Sequence, residues 1–422
     1  MTINLTLAGK NLRGEGCKIS NKIFRIFISV ILLAAMSLNL TGCWDSRELS
    51  ELALGDAVGF DLDTETNEHI LTIQYIIPQQ VKGGSKGTSG ESGNGGGGIT
   101  PAVQVEQSRS NKFWLEALEN YSTRGSRALF NQAFAIHVIG QEVAQQELYR
   151  YIEHLLRSPQ ARPTSYLMLA EGKASDILYA HAGMESIPGI GLAGTIKLSD
   201  EFSIYPPVNI VDFAKRMMSE TTAPIMPIVG VLQEKTIDGK DVEKLYIKGL
   251  AVFKNEKMVG ELNPTESKGL LWVINKEKHG FNTTDLPDGE QVTTQVIGAK
   301  SEIKPLMEDG KITINLTVKD QASLSEYSGQ QNLNGVLIKQ IEEAQGQAIK
   351  SEITAALNKS MALNADIFGF GEAVHRKYKT AWPDIASRWN ELYPNIKVNI
   401  QVKTEIKQIG GTKKAIVPKK NK

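Results

Sequence analysis

The sequence predicts a mixed α+β (mixed α/β) protein built as several small domains, in which mixed sheets pack against helices. Short apolar runs alternate with amphipathic helical patterns between residues 54 and 181, which is typical of strands and helices that follow one another. Residues 311–320 alternate strictly between apolar and polar side chains, which indicates a strand with one face in water. Residues 335–363 carry the longest helical pattern of the chain.

Length and charge limit the function classes. A chain of 422 residues is long enough for about two to three domains. Apolar residues make up 41% and charged residues 22%, so a sizeable core can form. Residues 1–42 carry a net charge of +4 and the remainder therefore carries −4. Nucleic-acid binding needs a basic footprint, so we expect no nucleic-acid partner.

The N-terminus predicts a lipid anchor. The four residues Leu40-Thr41-Gly42-Cys43 fit a lipobox, where a bacterial signal peptide is cut before a lipid-bearing cysteine. Basic residues precede an apolar run at 26–38 that suits a signal peptide and is shorter than the roughly 20 residues of a spanning helix. We expect residues 1–42 to be removed and Cys43 to carry S-diacylglyceryl and N-acyl groups on the outer face of a membrane. A plain signal anchor is the alternative.

The two cysteines give no disulfide framework. Cys17 leaves with the predicted signal peptide, and Cys43 is the predicted acylation site. The mature chain would then have no thiol pair and no cysteine metal site. We expect no catalytic residue, no cofactor-binding residue and no metal ligand.

The first predicted domain covers residues 43–204. It begins with a short amphipathic helix over residues 44–53, and a glycine-rich stretch at 82–98 is expected to be a flexible loop. Strands are predicted over 54–61, 70–77, 134–139 and 166–170, with a further strand around Val103 and Val105. Helices are predicted over 111–121, 141–157 and 174–181, and a loop over 188–194.

The second predicted domain covers residues 205–407, after a boundary at Pro206-Pro207. Helices are predicted over 208–218, from Asn263-Pro264, over 335–363 and from Pro383 through Leu392. Strands are predicted over 225–232, 244–254, 291–304, 311–320 and 396–402. Residues 408–422 form a basic tail that is expected to be disordered; attraction to anionic lipid headgroups is the alternative role.

Two glycine motifs match catalytic or nucleotide patterns only by composition. Residues 83–87 match G-x-S-x-G but lie inside the glycine-rich stretch, without the strand and helix that a nucleophile elbow needs. Residues 189–194 match G-x-G-x-x-G, but Pro188 precedes them and residues 195–198 favour a strand over a helix. We therefore expect a plain glycine loop at each position.

The histidines and tryptophans have core roles as their simplest explanation. The six histidines form no H-E-x-x-H motif, and His137 lies in an apolar strand where a core residue is expected. His181 and Glu185 are four residues apart, but Gly183 interrupts a helix there. Trp382 and Trp389 are expected to pack in a core, and stacking on a sugar is the alternative.

Several segments together resemble one family. They are Gly42-Cys43-Trp44-Asp45, Arg47-Glu48-Leu49, Gly59-Phe60-Asp61, Arg157, Arg162-Pro163, Gly249-Leu250-Ala251-Val252-Phe253-Lys254, Met258-Val259-Gly260-Glu261-Leu262, Ala365-Asp366-Ile367-Phe368-Gly369, Trp389 and Tyr393-Pro394. The chain resembles the Ger(x)C family of spore germination lipoproteins, the C subunits of GerA-type germinant receptors. The resemblance covers residues 40–410, and the glycine-rich insertion is longer than the pattern expects.

The resemblance implies a non-enzymatic subunit needed for spore germination. It implies partners in a membrane-embedded A subunit and a transporter-like B subunit, a position on the outer leaflet of the spore's inner membrane, and a mixed α/β fold. The one site residue that carries over is Cys43, for acylation. A solute-binding lipoprotein of a transporter is the alternative, because residues 389–398 look like a stretch of such proteins. A membrane-anchored cell-wall hydrolase is a third class, which no motif supports.

Overall fold

The computed structural model describes residues 23–31, 48, 51–77, 103–146, 148–159, 161–180, 185, 187–235, 237–239 and 241–410. Cys43, the glycine-rich stretch, His181 and residues 411–422 lie outside the described residues. The chain divides into two units, residues 1–52 and 53–422. In the first unit, residues 23–31 are helical. Across the described ranges, every helix is too short or too polar to cross a membrane.

A nine-stranded mixed sheet forms in the described part of the second unit. Its strands are β1 (Leu52–Asp63), β2 (Glu68–Ile76), β3 (Val103–Ser110), β4 (Ala128–Phe130), β5 (Ile136–Ile139), β6 (Tyr166–Ala170), β7 (Ile225–Lys235), β8 (Asp241–Lys254) and β9 (Lys257–Leu262). They lie in the order β3-β2-β1-β5-β6-β7-β8-β9, and β4 pairs with β1. The pairs β1–β5, β5–β6 and β6–β7 are parallel, whereas the hairpin pairs toward both edges are antiparallel.

Among the described residues, six helical segments accompany this sheet. They are α1 (Trp114–Ser122), α2 (Gln141–Gln146), α3 (Leu148–Arg157), α4 (Ala174–Tyr179), α5 (Pro188–Glu201) and α6 (Ile210–Met217). Strand β1 is buried on both faces over most of its length, as expected for the parallel centre of a covered sheet. Helix α3 buries one apolar stripe, formed by Leu148, Tyr151, Ile152 and Leu155.

A second sheet of four strands follows, again counted over the described residues. Its strands are β10 (Phe281–Asp285), β11 (Gln291–Glu308), β12 (Lys311–Tyr327) and β13 (Lys397–Gln408), in that order. The hairpin β11–β12 is antiparallel, and β13 runs parallel to β12. The helices of this part are α7 (Pro264–Val273), α8 (Gly335–Ala362), α9 (Phe370–Lys377), α10 (Trp382–Ser387) and α11 (Trp389–Leu392). The two mixed sheets confirm the predicted fold class.

Local turn and cap chemistry agrees with the sequence. Asn255 has φ of 57° and lies in the turn between β8 and β9, and asparagine tolerates that left-handed conformation in a hairpin turn. Asn263 accepts from the Glu266 backbone N–H, and the Glu266 side chain accepts from the Asn263 N–H. This capping box places the start of α7 where the Asn-Pro pair predicted it.

Three predicted elements are wrong in part. The loop over 188–194 is the first half of α5, because Pro188 stands in its first turn and Leu192 is buried against the core. The helix over 44–53 does not extend to its predicted end, because residues 52 and 53 belong to β1. The helix over 383–392 is interrupted at Arg388. Residue 147, between α2 and α3, lies outside the described residues.

Strands from both sides of the predicted domain boundary share the first sheet. Leu169 of β6 pairs in parallel with Ile228 of β7, although Pro206-Pro207 lies between them in sequence. The division into 43–204 and 205–407 stays a prediction. A single cluster of buried apolar side chains extends from Ala57 in β1 to Ile396 before β13.

Candidate functional site

The Asp366 carboxylate closes the first turn of α9. It is 2% exposed and accepts hydrogen bonds from the backbone N–H groups of Phe368, Gly369, Phe370 and Gly371 at 2.8 to 3.2 Å. The N-cap residue Gly369 has φ of 77° and offers no side chain to cap the helix. The first N–H groups of a helix need acceptors from outside it. Asp366 therefore supplies the cap.

The charge state of Asp366 reflects two opposing effects. Burial raises its pKa to about 6, although the hydrogen bonds from the four backbone N–H groups partly offset this rise. Burial outweighs the hydrogen bonds because the charged form loses its hydration. Both carboxylate oxygens already accept from the backbone. The group thus serves as a structural acceptor and has little freedom to exchange protons with a substrate.

Arg216, near the end of α6, joins the chain segment before β7 to the segment around Asp366. Its guanidinium donates to the main-chain oxygens of Ala223 and Ile367, both at 3.0 Å. The Ala223 N–H donates to the main-chain oxygen of Asp366 at 2.8 Å. We call residues 216–224, 364–371 and 389–393 the Asp366 junction. Burial of the partly exposed Arg216 lowers its pKa, and the negative charge of Asp366 opposes that shift.

Aromatic side chains pack against this junction. Trp382 and Trp389 lie with ring centroids 6.1 Å apart, and Trp389 and Tyr393 are 5.9 Å apart. The His375 ring stacks on Trp382 at 4.7 Å. The two tryptophans are 5% and 4% exposed. The core role predicted for the pair is confirmed, since neither ring offers an open face to a sugar.

A polar cavity of about 90 Å³ lies within the junction. Four buried polar atoms of its lining have no hydrogen-bond partner among the described residues: Trp389 Nε1, Thr221 Oγ1, Thr222 Oγ1 and Asn364 Oδ1. They provide one N–H donor, two hydroxyls and one amide acceptor. A cavity of this size and polarity suits a few ordered waters.

The Gly59-Phe60-Asp61 motif builds a second cap of the same kind. The two Asp61 oxygens accept from the backbone N–H groups of Ala174 at 2.7 Å and Ser175 at 2.9 Å. These residues open α4, whose N-cap residue provides no side-chain hydrogen bond. A Cβ on Gly59 would lie 3.0 Å from the Ala174 Cβ, so the small residue permits the approach. The motif therefore fixes α4 against β1.

The side chains of Asp56 and Gln74 contact the start of α5. The Gly189 N–H donates to Gln74 Oε1 at 3.0 Å, and a Cβ on Gly189 would collide with the Asp56 carboxylate. Burial raises the pKa of Asp56 to about 6 against the opposing effect of the Ile190 and Gly189 N–H groups. The G-x-G-x-x-G stretch is thus helical, contrary to prediction. Its N-terminus meets an acidic side chain, which disfavours a phosphate there.

The core role predicted for His137 agrees with its position in the structure. His137 is buried in β5, and its Nδ1 lies 2.7 Å from the Tyr151 hydroxyl oxygen. Over the residues that the structure describes, no group of three or more His, Cys, Asp or Glu side chains could hold a metal.

Sequence reasoning did not single out Asp56 or Arg216, and it quoted Asp61 and Asp366 only as parts of motifs. The sequence does contain a pattern that identifies the two acids of β1 as buried and paired. Asp56 and Asp61 each interrupt an otherwise apolar run that is buried on both faces, and a buried carboxylate needs nearby donors. The donors come from helices more than a hundred residues away, so the pattern indicates a partner without locating it.

Two family descriptions match the chain. The spore germination protein N-terminal domain matches residues 45–231, and the spore germination B3/GerAC-like C-terminal domain matches residues 248–410. Spore germination protein KC of Bacillus subtilis (strain 168) is 28% identical over 402 residues, which span 92% of this chain and 96% of that protein. Spore germination protein GerQC of Bacillus cereus is 20% identical over 385 residues, spanning 90% and 99%.

A solved structure has the same fold. The crystal structure of the GerBC protein matches with a TM-score of 0.54 at 17% identity, and the match covers 83% of this chain and 97% of that one. The sequence matches and the shared fold extend over both sheets. This chain belongs to the Ger(x)C family of spore germination proteins.

Proposed function

We propose that this chain is a lipoprotein subunit of a nutrient germinant receptor and is required for spore germination. The observation that carries the proposal is the end-to-end match to proteins named for spore germination, with 92% of this chain and 96% of the first relative aligned. A match of that extent includes both sheets and the helices between them, so a shared role is supported for the whole chain and not for one module.

The proposed mode of action is assembly and not catalysis. The subunit binds a membrane-embedded A subunit and a transporter-like B subunit, and passes on their change of state through an interface that differs between states. The use of Asp61 and Asp366 as backbone acceptors supports this, because the family's motif carboxylates then serve the fold. These motifs hold the helices in fixed positions against the sheets, and the exposed surface is then free to bind the partner subunits.

The proposed location is the outer leaflet of the spore's inner membrane, with Cys43 acylated. Two acyl chains on one cysteine give stable anchoring, whereas one chain alone is marginal. The lipobox and the apolar run before it support this part of the proposal. The anchor would hold the chain beside its membrane partners and raise their effective concentration.

The anchor is tested by Cys43→Ala in a sporulating host that lacks the native copy. Cys17→Ala is the matched control, because it removes the other cysteine of the chain, which lies upstream of the proposed cleavage site. The readouts are membrane partition of the chain and the fall in optical density when spores meet nutrients. We expect Cys43→Ala to release the chain from membranes and to slow the response at least tenfold, and Cys17→Ala to change neither. A soluble Cys43→Ala chain with a normal response would overturn the anchored-subunit proposal.

A further inference from the structure

A second cavity lies inside the first sheet's helical cover and is chemically unlike the Asp366 junction. It has a volume of about 50 Å³ and is enclosed by β1, β2, β5, α1 and α3. Its deep walls are apolar and buried, with Phe60, Ile73, Phe134 and Leu155 among them. We call it the Trp114 cavity after the indole that lines it.

Among the polar side chains of this lining, three atoms are both buried and unpaired. They are Trp114 Nε1, His137 Nε2 and Asn131 Oδ1, and within the described part of the chain each is buried without a hydrogen-bond partner. Trp114 is 5% exposed and His137 is 3% exposed. Buried polar groups normally find partners, because leaving one unpaired costs free energy. Three such atoms around one cavity therefore point to a guest that pairs with them.

The electrostatics of the cavity specify an uncharged guest. None of the described residues that line it is Asp, Glu, Lys or Arg. The His137 ring is neutral, because burial lowers its pKa to about 3. Its Nδ1 is engaged with the Tyr151 hydroxyl at 2.7 Å, so only Nε2 faces a guest. An ion placed here would lose its hydration with no opposite charge in return.

The partly buried part of the lining gives access to the cavity. Leu118, Asn131, His154 and Ser158 are partly buried lining residues, whereas the lining side chains of β1 and β2 are buried. A guest can therefore enter beside Asn131 and pass its apolar part inward. The volume is about a third of the 150 Å³ that accommodates benzene in an engineered cavity. The enclosed part is thus a short alkyl group and not an aromatic ring.

We propose that the Trp114 cavity binds a small uncharged molecule with a short alkyl body and a hydroxyl group. The alkyl group contacts Phe60, Ile73 and Leu155. The hydroxyl oxygen accepts from the Trp114 indole N–H, and its hydrogen is donated to the Asn131 side-chain oxygen. A hydroxyl donates once and accepts twice, so one oxygen can pair with all three atoms when the Tyr151 hydroxyl donates to His137 Nδ1 and His137 Nε2 carries the proton. A purely apolar guest or an ether cannot do this. The inference concerns this cavity alone and does not rest on the proposed receptor role.

The test uses the full chain in detergent micelles, with tryptophan labelled at the indole nitrogen. The Trp114 indole signal is assigned with Trp114→Phe, and the chain is titrated with 1-butanol. Butylammonium and butyrate are controls of the same length that carry a charge. We expect a saturable shift of the Trp114 signal with 1-butanol, smaller shifts of the other indole signals, and no saturable shift with either ion.

Variants separate a specific site from solvent effects. Trp114→Phe keeps the ring against Phe60, 5.1 Å away, and removes the N–H; we expect it to weaken binding about threefold to tenfold, as followed by the backbone signals of β1. If Trp114→Phe does not fold, Asn131→Leu at the rim removes the acceptor and should weaken binding similarly. Shifts that stay linear with concentration, or equal shifts with butylammonium, would overturn the proposal. So would occupation by water only, seen as no shift with any alcohol.

Discussion

The Arg216 guanidinium donates a hydrogen bond of 3.0 Å to the main-chain oxygen of Ile367, which lies 151 residues further along the chain. The same guanidinium nitrogen donates to Ala223 at 3.0 Å. One side chain therefore ties α6 of the first sheet's segment to the loop that leads into α9. This contact and the Asp366 cap together define the Asp366 junction, and both can be tested by substitution.

Arg216→Met is expected to lower the free energy of unfolding by about 2–3 kcal/mol, because two main-chain oxygens lose a charged donor in a poorly hydrated place. The measurement is chemical denaturation of the purified chain. Lys215→Met is the matched control on the same helix, with an exposed side chain, and should change stability by less than about 0.5 kcal/mol. Equal effects of the two substitutions would show that the Arg216 hydrogen bonds contribute nothing.

Asp366→Asn is expected to destabilise the fold by about 1–3 kcal/mol. An amide keeps one acceptor oxygen, but its NH₂ group would then face the Gly371 N–H that now donates to the carboxylate. Two donors in contact leave the Gly371 N–H without its acceptor and weaken the cap, so α9 should also exchange its amide hydrogens faster. Asp384→Asn on the exposed face of α10 is the control. A cap role would be contradicted by unchanged stability and unchanged exchange in α9.

Gly269→Ala tests the contact between α7 and α8. A Cβ on Gly269 would overlap the main-chain oxygen of Glu352 in α8, and backbone cannot swing aside as a side chain can. We expect a loss of about 2–3 kcal/mol from this overpacking. Gly194→Ala in α5 is a control of the same chemistry with nothing within 4 Å of its Cβ, and it should gain about 0.5–1 kcal/mol. A neutral Gly269→Ala would mean that α7 and α8 can move apart at no cost.

Asp320→Asn tests the predicted pH dependence of stability. Burial raises the pKa of Asp320 to about 6 from 3.8, so the folded chain binds this proton more tightly than the unfolded chain. The stability that this group contributes is then full below about pH 4 and is lost as the pH rises through about 6. The amide cannot titrate, so the variant should gain about 1–3 kcal/mol relative to the parent between pH 4 and 8. Parallel stability curves for the two proteins would contradict this.

Elements with a strong local pattern could be predicted from the sequence. The strict alternation around Ile314 indicated a strand with one wet face, and β12 has that burial pattern. The long helical repeat predicted 335–363, and α8 spans Gly335–Ala362. The Asn-Pro pair at 263 and 264 predicted the start of α7. In each case the information lies within a few residues of the element.

Elements whose ends depend on distant side chains could not be predicted. Helix α5 begins at residues 188–194, whose three glycines have poor helix propensity. The Gly189 N–H at its start donates to Gln74 in β2, and the start lies beside Asp56 in β1. Nothing local to residues 188–194 carries that information. The same holds for Asp366, which is recognisable only as a motif residue. Its carboxylate accepts from the start of α9 and its main-chain oxygen accepts from Ala223, and both bonds depend on the folded chain.

The central claim is that this chain serves nutrient-triggered germination, and the most direct measurement is the germination rate of spores that lack it. The gene is deleted in its own host, together with other members of the same family, and the chain alone is restored. The account predicts that spores without the chain fail to respond to at least one nutrient and that the restored chain returns the response. Spores that respond to every nutrient at the parental rate in the absence of the whole family would contradict the account.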